Sequence, residues 1–253
     1  MHQLADWIVP DWPAPARVHC LITTRVGGVS TGPCASMNLG TRVGDDPVAV
    51  ARNRDLLRAL LPGEPFWLRQ VHGTRVVEAH GCEEVEADAS FTTAPGCVCV
   101  VMVADCLPVL FCDRAGSVVA AAHAGWRGLS AGVLENTAAA LPCPPTELIA
   151  YLGPAIGPDA FEVGQDVLGA FLAVDARASE AFLAKAPGPQ GERKWLADLY
   201  ALARQRLGRA GVGAVYGGGF CTYRDGARFF SHRRDPRGGR QAALIWLGDQ
   251  SRP

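Results

Sequence analysis

Val98-Cys99-Val100-Val101-Met102-Val103-Ala104-Asp105-Cys106-Leu107-Pro108-Val109-Leu110-Phe111-Cys112 is the most apolar run of the chain. A few residues later comes Val118-Val119-Ala120-Ala121-Ala122-His123. Short apolar, β-branched runs between turn residues are the pattern of buried strands. Val98–Val103, Val109–Cys112 and Val118–Ala122 are therefore expected as strands. Similar runs are expected as strands at Cys20–Thr24, Pro65–His72 and Arg75–Glu78. Leu148–Leu152, Ala214–Tyr216, Arg228–Ser231 and Ala243–Leu247 follow the same pattern.

Helices are fewer. Asp46-Pro47 supplies an N-cap and a first-turn proline for a helix reaching about Leu61, where Pro62-Gly63 stops it. Gly128–Leu141 reads as a second helix. The apolar spacing of Leu196, Leu199, Tyr200, Ala203 and Leu207 marks a third, closed by Gly211. Strands and helices are irregularly interspersed, and no strand is followed by G-x-G-x-x-G. The class expected is α+β, with mixed β-sheets flanked by helices, rather than a doubly wound nucleotide fold. Composition does not shift along residues 1–253, and Ala186–Gly191 reads as a turn-rich surface loop, so a single domain is expected.

The 253 residues carry 24 Lys+Arg and 25 Asp+Glu, 49% hydrophobic and 19% charged residues, which excludes a disordered or coiled-coil chain. A net charge of -1 gives no reason to expect nucleic acid as partner, while leaving room for a small phosphorylated ligand. The Val98–Cys112 run is broken by Asp105 and Pro108 and falls short of the ~20 residues of a spanning helix, so no membrane partner is expected. Met1–Pro10 has no signal-peptide pattern. With nine cysteines, no C-x-x-C pair and an odd count, a reducing cytoplasm is the expected location.

His72, Cys106 and His123 share one placement: each follows an apolar strand at the point where the backbone turns. If those strands are neighbours, two imidazoles and a thiolate converge on one sheet edge, a donor set that suits zinc with a fourth position left open. A buried structural cysteine and two hydrogen-bonded turn histidines would give the same pattern. Copper could use the same set with Met102 or Met37 as axial ligand. It is disfavoured, because the six histidines contain no His-x-His pair and the cytoplasm is reducing. No H-E-x-x-H and no deaminase-type zinc signature occur. A metal-free alternative stays open, with Cys106 as nucleophile and His123 as base. Arg127, at the start of a helix, suits an anion, whereas Arg54 reads as a surface residue. Ser231-His232-Arg233-Arg234-Asp235 is a charge run, a solvated face or an anion site.

Three of these motifs carry a resemblance: Arg69-Gln70-Val71-His72-Gly73, Ala104-Asp105-Cys106-Leu107-Pro108-Val109-Leu110 and His123-Ala124-Gly125-Trp126-Arg127-Gly128. With Thr24–Ser30, Ser36–Gly40, Leu152–Pro158, Phe161–Gly164, Cys221–Tyr223 and Phe229–Asp235, they resemble the laccase-domain, polyphenol-oxidase-like family. That family is also described as zinc purine nucleoside phosphorylases and, in enterobacteria, as a peptidoglycan editing factor. The resemblance implies that His72, Cys106 and His123 hold Zn2+ and form the catalytic centre. It implies a substrate pocket that includes Arg54, with Asn38 and Gln70, and a fold similar to the catalytic domain of cytotoxic necrotizing factors. The activity implied is phosphorolysis of adenosine, inosine, guanosine and methylthioadenosine, with some adenosine deamination; nucleoside and phosphate are then the small-molecule partners. Arg54 and Arg127 would suit the phosphate, and Glu162 or Asp105 could carry a proton. His232 departs from the tyrosine often found in enterobacterial relatives. Two other readings stay open: a Cys or zinc amidase acting on a UDP-muramyl precursor, and a non-enzymatic, zinc-stabilised binding module.

Overall fold

A computed structural model describes residues 7–81, 84–188 and 191–249. Met1 to Asp6, Cys82 and the centre of the expected 186–191 loop lie outside the described residues. The strands that the apolar runs announce are β1 (Val18–Ile22), β7 (Val98–Val103), β8 (Leu107–Asp113), β9 (Val119–Ala124), β10 (Leu148–Leu152) and β15 (Gln241–Leu247). They are divided between two mixed sheets. A four-stranded sheet runs β1-β15-β7-β2, with β2 at Pro65–Phe66. A six-stranded sheet runs β14-β10-β8-β9-β6-β4, with β4 at Val76–Glu78, β6 at Ala89–Thr92 and β14 at Ala214–Gly217.

The absence of polar alternation in these strands has a direct structural cause: the two sheets stack, and each is covered on its outer side as well. Along β7, Cys99 and Val101 face β8 and β9 of the other sheet, while Val98 and Val100 pack outward against Leu57, Met37 and Leu39. Along β8 and β9, Leu110, Cys112, Val119 and Ala121 line the space between the sheets. Leu107, Val109, Phe111, Ala120 and Ala122 point the other way, onto Leu129, Val133, Phe171, Leu202 and Leu207. The order of layers is helix, four-stranded sheet, six-stranded sheet, helices, consistent with the expected α+β class.

The first expected helix is α1 (Pro47–Arg58), with Asp46 accepting from Val48 N at its start. The second is two helices, α2 (Trp126–Ala131) and α3 (Val133–Ala140), because Gly132 between them takes φ 104 and ends one while opening the other. The third begins later than its apolar spacing suggests. Trp195–Ala197 is a strand, β13, pairing with β11 (Glu162–Val163) and β12 (Phe182–Ala184). Only after the Asp198 cap does α5 (Leu199–Arg209) start. A further helix, α4 (Gln165–Leu172), is not among those expected. The Pro65–His72 run divides into β2 and the short β3 (Leu68–Arg69), which pairs with β5 (Val85–Glu86).

Arg228–Ser231 is not a strand. Phe230 N donates to Gln241 Oε1, and Gln241 Nε2 donates to Phe230 O, so a side-chain amide replaces the ladder a strand would need. The segment between β14 and β15 is held instead by Arg234, whose guanidinium donates to Thr222 O, Tyr223 O and Phe229 O.

The Gly153–Pro158 turn is anchored by buried Tyr200 on α5. Its hydroxyl accepts from Ala155 N at 2.9 Å and lies 3.1 Å from Phe220 O and 3.3 Å from Gly153 O, to one of which it donates. Tyr200→Phe strands a buried N–H and is expected to lower unfolding stability by about 1–3 kcal/mol, measured by urea denaturation.

Candidate metal centre

Two turns and the end of a strand bring His72, Cys106 and His123 together. His72 follows β3 through Gln70-Val71, Cys106 ends the turn out of β7, and His123 occupies the penultimate position of β9. Their ligand atoms all lie within 4.8 Å of one another, and Cys106 Sγ stands 3.7 Å from His72 Nε2. The edge between a thiolate sulfur and an imidazole nitrogen around tetrahedral zinc is about 3.6 Å, so the donor set fits such an ion. The three residues converge as expected, but not on one sheet edge: His72 follows β3 of the β3–β5 pair, Cys106 links β7 of the four-stranded sheet to β8 of the six-stranded one, and His123 lies on β9, an inner strand of the six-stranded sheet.

Several local features hold the turns in place. His72 (φ 62) and Asp105 (φ 89) occupy left-handed backbone that non-glycine residues rarely adopt. Gln70 grips β7 from the side: its Oε1 accepts from Met102 N and its Nε2 donates to Met102 O, both at 2.8 Å. Gly125 leaves room for the ligands, since a Cβ there would lie 2.8 Å from His72 Cδ2 and 3.0 Å from Cys106 Sγ.

Asp88 ties the centre to the fold. Fully buried before β6, it accepts backbone hydrogen bonds from Val71, His72 and Gly73, and Oδ1 lies 2.8 Å from His123 Nδ1. A carboxylate can only accept, so Nδ1 carries a proton and Nε2 is the nitrogen offered to a metal. No sequence pattern pointed to Asp88. An acidic residue in the small, apolar context Ala87-Asp88-Ala89 was the one available signal.

Burial works against every charge here, but the pairing overcomes it. Burial alone would raise the Asp88 pKa; His123 and the backbone N–H groups of Gly73 and Val71 hold it below the usual carboxylate range. Burial would likewise raise the Cys106 thiol, yet His123 and His72 bring it down to about 6. Burial would lower His123, while the Cys106 thiolate and Asp88 raise it to about 9. Without metal the pairing favours a thiolate beside an imidazolium.

Two hollows open on either side of the cluster, sharing His72, Ala104, Cys106 and His232 as a common wall. The first, about 300 Å³, is bounded by Thr41, Arg42, Gln70, Met102 and Arg240. The second, about 360 Å³, is bounded by Trp126, Arg127, Ile156, Phe161 and Arg233. Gln70 and Arg127 thus border hollows. Arg54 and Asn38 border neither. Arg54 stacks 3.8 Å over Trp67 and backs Met102, with Nε donating to Leu39 O. Asn38 is fully buried, and its amide organises the backbone at Gly40 and Arg240. Glu162 pairs with Lys185 outside both hollows. Asp105 borders the second hollow, but its oxygens accept from Thr222 Oγ1 at 2.6 Å and Arg233 N at 2.7 Å.

The family model described as multi-copper polyphenol oxidoreductase laccase matches residues 19–248. A purine nucleoside phosphorylase of Pseudomonas aeruginosa, PA4543, is 57% identical over 96% of this chain and 99% of its own length. Another, YfiH of Escherichia coli, is 54% identical over 96% of this chain and 100% of its own. The crystal structure of Neisseria meningitidis protein NMB0706 superposes with a TM-score of 0.90 at 56% identity, covering 96% of this chain and 99% of that one.

In metal-stripped protein, alkylation of Cys106 should follow a midpoint near pH 6 rather than the ordinary 9.0, because a lowered pKa leaves the reactive thiolate present above pH 6. Peptide-mapped labelling at pH 7 should find Cys106 ahead of Cys99 and Cys112, whose thiols burial pushes up. Asp88→Asn removes the anion behind His123; the midpoint should move upward and metal affinity should fall about 10–100-fold.

Proposed function

The chain belongs to the multi-copper polyphenol oxidoreductase laccase family, and from that membership we propose that it is a zinc-dependent purine nucleoside phosphorylase. The observation that carries the reading is the pair of hollows meeting at the His72–Cys106–His123 cluster. Phosphorolysis needs two reactants side by side, a nucleoside and a phosphate, with the reacting carbon at their junction. The names of the close relatives support the same activity.

In this reading the second hollow takes the purine, whose faces suit Trp126 and Phe161. Each of these rings has a guanidinium above it, Arg127 at 4.4 Å and Arg233 at 5.6 Å. As the glycosidic bond breaks, negative charge grows on the base, and these two cations lie where it can be stabilised. The first hollow takes phosphate against half-buried Arg240, whose guanidinium donates to the carbonyls of Gly238 and Gly239, and against Thr41. Arg54 and Asn38 act from behind the wall, keeping Met102 and the Gly40–Arg240 backbone in position.

His72, Cys106 and His123 would hold the zinc, the thiolate and imidazole donors matching it. Zinc bound there supplies Lewis-acid polarisation of a substrate oxygen or nitrogen. Copper, named in the family's description, is disfavoured by the lack of any His-x-His pair among the six histidines. Adenosine deamination belongs to the same proposal as a side activity, and so does a cytoplasmic location. No helix among the described residues is long and apolar enough to cross a membrane.

One observation favours a second reading. Asp88, His123 and Cys106 form a carboxylate–imidazole–thiolate series that could attack an amide without metal, as in editing a UDP-muramyl peptidoglycan precursor.

Freshly purified protein should contain zinc and no stoichiometric copper by metal analysis. With inosine or adenosine and phosphate it should yield the free base and ribose 1-phosphate by chromatography. Absence of both products from every purine nucleoside would sink the phosphorylase reading, whereas amino-acid release from a UDP-muramyl dipeptide would favour the amidase.

A further inference from the structure

The shared wall of the two hollows contains one titratable side chain outside the metal cluster, His232. Its Nδ1 lies 3.2 Å from Pro236 O. A carbonyl oxygen only accepts, so Nδ1 holds the proton, and Nε2 of the neutral ring is left with a lone pair. Among the described residues Nε2 has no hydrogen-bond partner. The ring is supported by a loop that is fixed on both sides: Arg233 N donates to Asp105, and Arg234 clamps the carbonyls of Thr222, Tyr223 and Phe229.

We propose that His232 is a catalytic residue that carries the proton from phosphate to the departing purine. This rests on the phosphorylase reading. In that reaction an oxygen of hydrogen phosphate forms the new bond to C1′ of the ribose. The C1′–N9 bond breaks and its electron pair stays on the purine. The phosphate hydroxyl must lose a proton and the purine must gain one. His232 Nε2 accepts the proton from the phosphate side and delivers it to N7 of the purine, returning to the neutral ring, so charge and atoms balance over the turnover.

The other polar groups around the hollows are unsuited to this transfer. Arg42, Arg127, Arg233 and Arg240 are permanently protonated and cannot accept. Asp105 borders only the second hollow, with both oxygens already accepting hydrogen bonds. Glu84 borders only the first, in an ion pair with Arg42. A group that moves a proton between two sites has to reach both, and His232 borders both.

The experiment compares zinc-loaded unaltered protein with His232→Gln on two substrates, inosine and 7-methylguanosine. In the second, N7 is already quaternised, so the base departs neutral without receiving a proton, and the proton left on ribose 1-phosphate passes to solvent after the C–O bond has formed. We expect His232→Gln to lower kcat on inosine by about 100-fold or more, while turnover of 7-methylguanosine stays close to that of the unaltered protein. An equal fall on both substrates would mean that His232 only shapes the hollows, and an unchanged kcat on inosine would mean that the proton travels elsewhere. Either result overturns this proposal and leaves the phosphorylase reading intact. If the unaltered protein cleaves neither nucleoside, the phosphorylase reading itself is lost.

Discussion

The carboxylate of Asp88 is the constraint on which the centre depends. It is fully buried, yet it binds three consecutive backbone N–H groups of the His72 turn and the ring of His123. One anion therefore fixes two of the three ligands relative to each other, although they are far apart in the chain. The arrangement also explains the unusual backbone at His72. Three N–H groups directed at one carboxylate make a concave nest, which the left-handed residue helps to close. Buried alone, such an anion would be strongly unfavourable; satisfied by four donors, it becomes a rigid joint between β9 and the turn after β3.

The sandwich supplies the rest of the rigidity. β7, β8 and β9 are covered on both faces, so their ends emerge from a close-packed interior that cannot yield locally. The small side chains of β9, Ala120-Ala121-Ala122, let helices and the opposing sheet approach closely on either side. His123 is the first large polar residue along that strand and stands where the covering layers part. Cys106 is directed there by the turn through Asp105, and Gly125 leaves a gap that any Cβ would fill.

What was legible in the sequence was what hydrophobic periodicity records. The buried strands, the capped helix α1 and the placement of His72, Cys106 and His123 at strand ends all follow from local patterns. What escaped was non-local. Gly132 divides a continuous apolar spacing into two helices through a single backbone dihedral. Trp195–Ala197 pairs with distant strands and so delays a helix that its own residues would support. Gln70 and Gln241 use side-chain amides where a strand would use its backbone, and the Gln241 clamp is the reason Arg228–Ser231 forms no ladder. Asp88 was hidden because it ends the acidic run Glu83-Glu84-Val85-Glu86-Ala87-Asp88, which reads as a solvated charge cluster. Arg54 and Asn38 were brought in by resemblance. Their placement behind the hollows gives them a supporting geometry that motif matching cannot distinguish from direct contact.

The loop between β14 and β15 has almost no regular structure, yet one guanidinium, that of Arg234, gathers three of its carbonyls, and Asp105 ties it to the Cys106 turn. Its shape is therefore set by a few internal anchors and not by the residues at its tip. The tie to Asp105 is made by the main-chain N–H of Arg233, which any residue but proline would keep, while the side chains of His232 and Arg233 add contacts to Pro236 O and Glu162 O. A scaffold of this kind separates what must stay constant from what can vary: descendants of one ancestor can alter the roof over the cluster, and with it the molecules admitted, while inheriting the floor unchanged.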